Sequence, residues 1–161
     1  MSGAQARSAG ANVAVGNEKA LLYVLAGWLL PGLGHWLLGK TRRAVIFAVL
    51  ILGSFGLGLA HDGRLALRDP KQPFLSSLQI VANLGVGPLD LVARGMVYGG
   101  LSFTLPAHRM SDSDAARREE IYRDRTRSAL SNYGTAYIWT AGLMNLLLLF
   151  DVWDIARRKK A

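Results

Sequence analysis

Three stretches of the chain run without an aspartate, glutamate, lysine or arginine for the length of a bilayer-crossing helix. They are residues 20–39 (ALLYVLAGWLLPGLGHWLLG), 44–60 (AVIFAVLILGSFGLGLA) and 134–150 (GTAYIWTAGLMNLLLLF), the last continuing past Asp151 to Trp153. A hydrocarbon core about 30 Å thick takes roughly 20 mainly apolar residues in a helix, and about 17 to 25 suffice. A water-facing helix of that length shows a polar stripe every three or four residues, and these show none. Tyr23 and Trp36 flank the first stretch and Trp139 and Trp153 the third, as expected of rings that sit at a membrane–water boundary. The expected spans are therefore about 20–39, 44–60 and 134–153.

A fourth apolar block, 78–98, contains Asn83, Gly85, Gly87, Pro88, Asp90 and Arg94. A charge at mid-bilayer costs at least about 2.5 kcal/mol on insertion scales, and Pro88 interrupts the helical hydrogen-bond ladder. Asp90 and Arg94 stand i,i+4 and can pair on one face. This block is expected to be a broken or re-entrant helix among the others, or an interfacial one, in preference to a simple span.

Basic residues outnumber acidic ones, 19 to 11, giving a net charge of +8. Such an excess ordinarily points to nucleic acid, so its placement decides. Lys40, Arg42 and Arg43 fill the short link between the first two spans, and Arg157, Arg158, Lys159 and Lys160 follow the last. Short basic links beside spans set orientation in the membrane and attract anionic lipid. With both groups in the cytoplasm, three spans are expected, the N-terminus lies outside and the C-terminus inside. Residues 112–131 read as a water-exposed helix in which Arg117, Arg118, Arg123, Arg125 and Arg127 interleave with Asp112, Asp114, Glu119, Glu120 and Asp124. Ser111 with Asp114 resembles a capping box, and Asp114–Arg118 and Glu119–Arg123 are i,i+4 pairs. That interleaving excludes a nucleic-acid partner. Residues 1–17 read as a disordered tail, 18–156 as one membrane domain and 157–161 as a basic tail. No small-x-small cleavage site follows the first apolar stretch, so it is expected to stay as an anchor.

The chain has no cysteine, which excludes disulfides, thiolate zinc sites and a cysteine nucleophile. His35, His61 and His108 are far apart, with no metal-ligand spacing. No P-loop, dinucleotide fingerprint or nucleophile elbow is present. No catalytic, cofactor or metal site is expected, and the protein is not expected to be an enzyme. Ser54–Gly58 and Gly56–Ala60 form small-xxx-small pairs that let helices approach closely in lipid. The polar residues singled out are His35, Asp90, Arg94, Asn145, Asp151 and Asp154. His35 is expected to bond a backbone carbonyl at the membrane surface. Asn145, in mid-span, must find a partner on another helix. Asp154 can pair locally with Arg157 or Arg158, whereas Asp151 is expected to pair across helices with the Lys40–Arg43 link.

The run Pro31-Gly32-Leu33-Gly34-His35-Trp36, followed by Leu37-Leu38-Gly39-Lys40 and a basic link, resembles the two-transmembrane-helix domain, whose hairpins carry a PGxGH-(aromatic)-(apolar)-LG pattern. Residues 82–88 (ANLGVGP), 133–137 (YGTAY) and 141–147 (AGLMNLL), with Asp151 and Asp154, complete a resemblance to an uncharacterised bacterial membrane-protein family related to that domain. The acidic residue often found near the start of the link in that domain is absent from Lys40-Thr41-Arg42-Arg43. The resemblance covers about 18–156 and implies no catalytic activity.

The expected fold is an all-α membrane bundle: a kinked N-terminal hairpin, a broken or re-entrant third apolar helix, an exposed surface helix and a C-terminal spanning helix. The expected function is that of a non-enzymatic scaffold or interaction protein in a bacterial inner membrane, with membrane lipids and a second copy or another membrane protein as partners. The alternative is a small channel, transporter accessory or lipid-handling protein using polar residues around the broken helix.

Overall fold

The computed structural model describes residues 17–101, 103–104 and 113–158. The expected tail at 1–16, Ser111, Asp112, His108, Lys159 and Lys160 lie outside the described residues, as do the side chains of Asp114 and Arg158. Seven helices form among the described residues: α1 Asn17–Leu29, α2 Leu33–Leu37, α3 Thr41–Ala60, α4 Pro73–Leu84, α5 Pro88–Tyr98, α6 Ser113–Arg127 and α7 Ser131–Arg158. The only pairing of extended backbone among them is a bridge between Arg68 and Thr104.

Two helices carry the architecture. With a rise of 1.5 Å per residue, α3 is roughly 30 Å long and α7 roughly 42 Å, and both are apolar enough to cross a membrane. They run antiparallel. Ser54 Oγ near the end of α3 donates to the Tyr137 carbonyl oxygen near the start of α7, while His35, just before α3, reaches Asp151 near the end of α7. Gly58 lets the two backbones close up, since a Cβ there would strike Ile138 and the Gly134 carbonyl. The Ser54–Gly58 pair thus faces α7, whereas Gly56 faces open space. Only 22% of the apolar window of α3 and 28% of that of α7 is buried within the chain. Val45, Val49, Leu143, Leu147 and Phe150 stay exposed on these helices. Apolar surface on that scale marks a binding surface, and both helices have the length and composition of membrane spans.

The other two apolar blocks are hairpins, and a glycine turns each. Gly32 has φ +89° and Gly87 φ +83°, values that a Cβ makes costly. Beside them Pro31 and Pro88 remove backbone donors. In the first hairpin α2 folds back on α1: a Cβ at Gly34 would lie 2.7 Å from the Tyr23 carbonyl oxygen and 3.0 Å from Val152. Residues 20–39 therefore do not form the single span expected from their composition. They form a helix of 13 residues and a returning helix of five, too short to cross singly.

The second hairpin bends by 110° between α4 and α5. The block is broken, as expected, but α4 starts at Pro73, earlier than 78. Its far end returns to where it came from. Arg94 and Tyr98 on α5 bond the carbonyls of Ala66 and Leu65, next to Arg64, whose N–H donates to Thr135 at the start of α7. The exposed helix α6 lies at that same end, where Arg125 bonds the Gly63 carbonyl. Its Glu119–Arg123 pair forms as expected. Between the two main helices and the hairpins sits a core of Ile51, Phe55, Val86, Ala93, Ile138 and Ala141.

Candidate functional site

The two hairpin tips meet against the middle of α7, where Asn83 and Asn145 are buried; His35 is buried on α2, and Asp90 and Arg94 on α5. Trp28, at the end of α1, donates from Nε1 to the Leu84 carbonyl oxygen at 3.0 Å. Gly87 sits against the Trp28 carbonyl so closely that a Cβ would overlap it. On α7, Gly142 lies against the Ala82 carbonyl and Gly85 against Gly142. One turn along, Asn145 donates from Nδ2 to the Gly85 carbonyl at 2.8 Å and to the Gly27 carbonyl at 3.4 Å. A helix break leaves carbonyls without intrahelical donors. One amide on α7 thus satisfies the broken end of each hairpin. This is the cross-helix partner expected for Asn145, with backbone in place of a side chain.

Asp90 and Arg94 pair at 2.7 Å through Oδ2 and Nε, with both side chains 0% exposed. Arg94 also donates from Nη1 to the Ala66 carbonyl at 2.9 Å and stacks over the Phe103 ring at 4.5 Å. The i,i+4 pairing is the one expected. Its second bond ties α5 to the loop that follows α3. Buried ion pairs of this kind gain little net stability, but removing one partner is costly.

His35 is 1% exposed and bonds Asp151 through Nε2 and Oδ2 at 2.8 Å, with its ring 5.5 Å from that of Phe47. This corrects two expectations. His35 does not bond a backbone carbonyl, and the partner of Asp151 is His35 in place of the Lys40–Arg43 link. The hairpin fold-back explains both, because it carries His35 to Asp151. Lys40, Arg42 and Arg43 are exposed. Asp154 is exposed one turn beyond Asp151, and Arg157 stacks over Trp153 at 5.5 Å.

Asn83 is a member of the site that its sequence context did not single out. It is 0% exposed, and both its amide atoms lack a hydrogen bond among the described residues, as do Asp90 Oδ1 and Asn145 Oδ1. Its position two residues before Gly85-Val86-Gly87-Pro88 was the available signal. Trp28 and Gly142 were also missed, since neither is polar or charged in a way that marks a site.

At the α6 end of the molecule a cavity of about 170 Å³ is lined by Arg64, Asp69, Gln72, Ser76, Gln79 and Thr135, with Trp139 and Tyr122 among its walls. An apolar groove of about 300 Å³ runs between the first hairpin and α3. No group of three histidines or carboxylates gathers among the described residues. The arrangement can hold backbone breaks closed and bury an ion pair.

A family of unknown function (DUF6677) matches residues 22–161. The chain belongs to this family. No curated protein and no solved structure matches the chain. The matched region takes in both hairpins, α3 and α7, so the polar contacts at Asn145, Asp90–Arg94 and His35–Asp151 all lie within the family's extent.

Proposed function

We propose that this member of the family is a non-enzymatic membrane scaffold with two full spans, α3 and α7, and two re-entrant hairpins that enter from opposite faces. The observation that carries it is that Asn145, Asp90, Arg94, His35 and Asp151 are engaged in bonds that hold the hairpins to their neighbours. A transport path needs such groups along a hydrated route. In this reading both ends of α1–α7 lie on one face, in place of the opposite faces that three spans imply. The acid-free Lys40–Arg43 link and the basic residues after α7 support placing that face in the cytoplasm of a bacterial inner membrane. The arginines of α6 lie at the opposite face among acids. The Pro31–Lys40 run supports kinship with the two-transmembrane-helix domain.

Because the sequence contains no cysteine, single cysteines report sidedness cleanly. Glu18→Cys, Lys40→Cys and Arg157→Cys should label from one side of intact cells and Arg127→Cys from the other. Labelling of positions 18 and 157 from opposite sides refutes the two-span arrangement.

The buried polar atoms of Asn83, Asp90 and Asn145 that lack a bond favour a second reading, a small channel or transporter accessory built around the breaks. Reconstituted vesicles decide between the two. The scaffold gives no ion flux above empty vesicles, and a flux that falls with Asp90→Asn establishes the second reading.

A further inference from the structure

We infer that the groove between the first hairpin and α3 is a binding site for one anionic phospholipid. The site holds an acyl chain against the protein and a phosphate beside Lys40 and Arg42. The inference rests on the membrane reading above and goes beyond a scaffold role.

The groove is walled on one side by Leu30, Pro31, Leu33 and Trp36 and on the other by α3 from Thr41 to Leu52. Thr41 is the one hydrogen-bonding side chain on the α3 wall. The eleven-residue separation from Thr41 to Leu52 corresponds to roughly 17 Å along a helix. One leaflet of a hydrocarbon core is about 15 Å deep. The groove therefore has the length of a single leaflet's chain region. It lies where the chain turns back at Gly32, whose backbone packs against Ala44 and Ala48 of α3. Leu30, Trp36 and Val45 stand half-exposed or more along its rim, at 50%, 63% and 57%.

The charge at the open end matches a phosphate. Lys40 precedes α3 and Arg42 follows Thr41; both are exposed, and neither is paired with a carboxylate among the described residues. At 100° per residue Arg42 flanks the face of α3 that lines the groove, while Arg43, 200° from Thr41, projects from the opposite face. Trp36 on the other wall has an indole N–H of the kind that sits at headgroup level. An apolar slot about one leaflet deep, with Lys40 and Arg42 on either side of Thr41 at its end, distinguishes a lipid site from diffuse attraction to an anionic surface.

The test titrates the detergent-solubilised protein with dioleoylphosphatidylglycerol and, separately, dioleoylphosphatidylcholine, reading bound lipid by native mass spectrometry. Each basic residue near an anionic headgroup contributes enough that two give a preference of roughly 30-fold for the glycerol lipid. One such lipid should bind saturably. Val45→Trp, which fills the groove from its rim, should abolish that binding, with Leu30→Trp from the facing wall as the substitute if the first variant does not purify. Lys40→Gln with Arg42→Gln should remove the preference, and Arg43→Gln should retain it. Equal binding of the two lipids, unchanged binding in the groove-filled variant, or an Arg43→Gln loss as large as that of the double variant overturns the site. Loss of the site with labelling still on one face leaves the two-span reading standing, so the two failures are separable.

Discussion

The sealed pair on α5 gives the sharpest test of how this bundle is held. Asp90 and Arg94 are both fully buried, and Arg94 bonds the carboxylate, the Ala66 carbonyl and the Phe103 ring. Asp90→Leu removes the carboxylate from a guanidinium sealed inside the bundle; breaking such a pair costs about 3–5 kcal/mol. Arg94→Met leaves the carboxylate buried at similar cost and strips a donor from the Ala66 carbonyl, about 1–3 kcal/mol more. In the double variant no charge remains inside, so only the carbonyl is left short, a loss of about 1–3 kcal/mol. The double variant should therefore be more stable than either single one. Reversible unfolding in mixed micelles, followed by tryptophan fluorescence and circular dichroism, measures all four corners. If the double variant loses the sum of the two single losses, or if both single changes fall below about 1 kcal/mol, the pair is not the closed element described.

Three further outcomes follow from the same contacts. Asp151→Ala should destabilise the bundle in detergent by about 0.5–1.5 kcal/mol more than Asp154→Ala, because Asp151 bonds buried His35; equal effects in thermal melts count against it. Gly58→Ala should destabilise by about 1–3 kcal/mol, since its methyl meets Ile138 and the Gly134 carbonyl, while Gly56→Ala, pointing into open space, should be neutral or stabilising; the same melts compare them. Asn145→Leu should loosen both hairpins together, and amide exchange at residues 27–35 and 85–90 should rise in step; a rise at one hairpin alone contradicts the shared tie through Gly27 and Gly85.

The helices apolar enough to cross a membrane were legible because α3 and α7 contain long windows without charge, and the break at 85–88 was legible because glycine and proline interrupt such a window. The surface helix was legible from its alternating charges. The fold-back of the first block was not. Composition registers how apolar residues 20–39 are, but the reversal depends on the positive φ of Gly32 and on space for Gly34 beside Tyr23, which are tertiary facts. For the same reason Asp90–Arg94, an i,i+4 pair, could be read locally, while the partner of Asp151 lay 116 positions away at His35. Local charge arithmetic pointed to the nearest cations of the link and had no means of seeing a histidine brought in by a hairpin. Asn83 was legible only as a polar interruption of the 78–98 block, because its burial depends on the packing of both hairpins against α7.

The position of α7 after the elements it holds has a consequence for biogenesis. It is the element on which α1, α2, α3 and α4 all pack, and it is translated after them. While the ribosome is still adding residues before 131, the carbonyls of Gly27 and Gly85 have no Asn145 to meet, and His35 has no Asp151. Until then the earlier segments lack the ties that α7 supplies. Closure is therefore set by the arrival of a single helix.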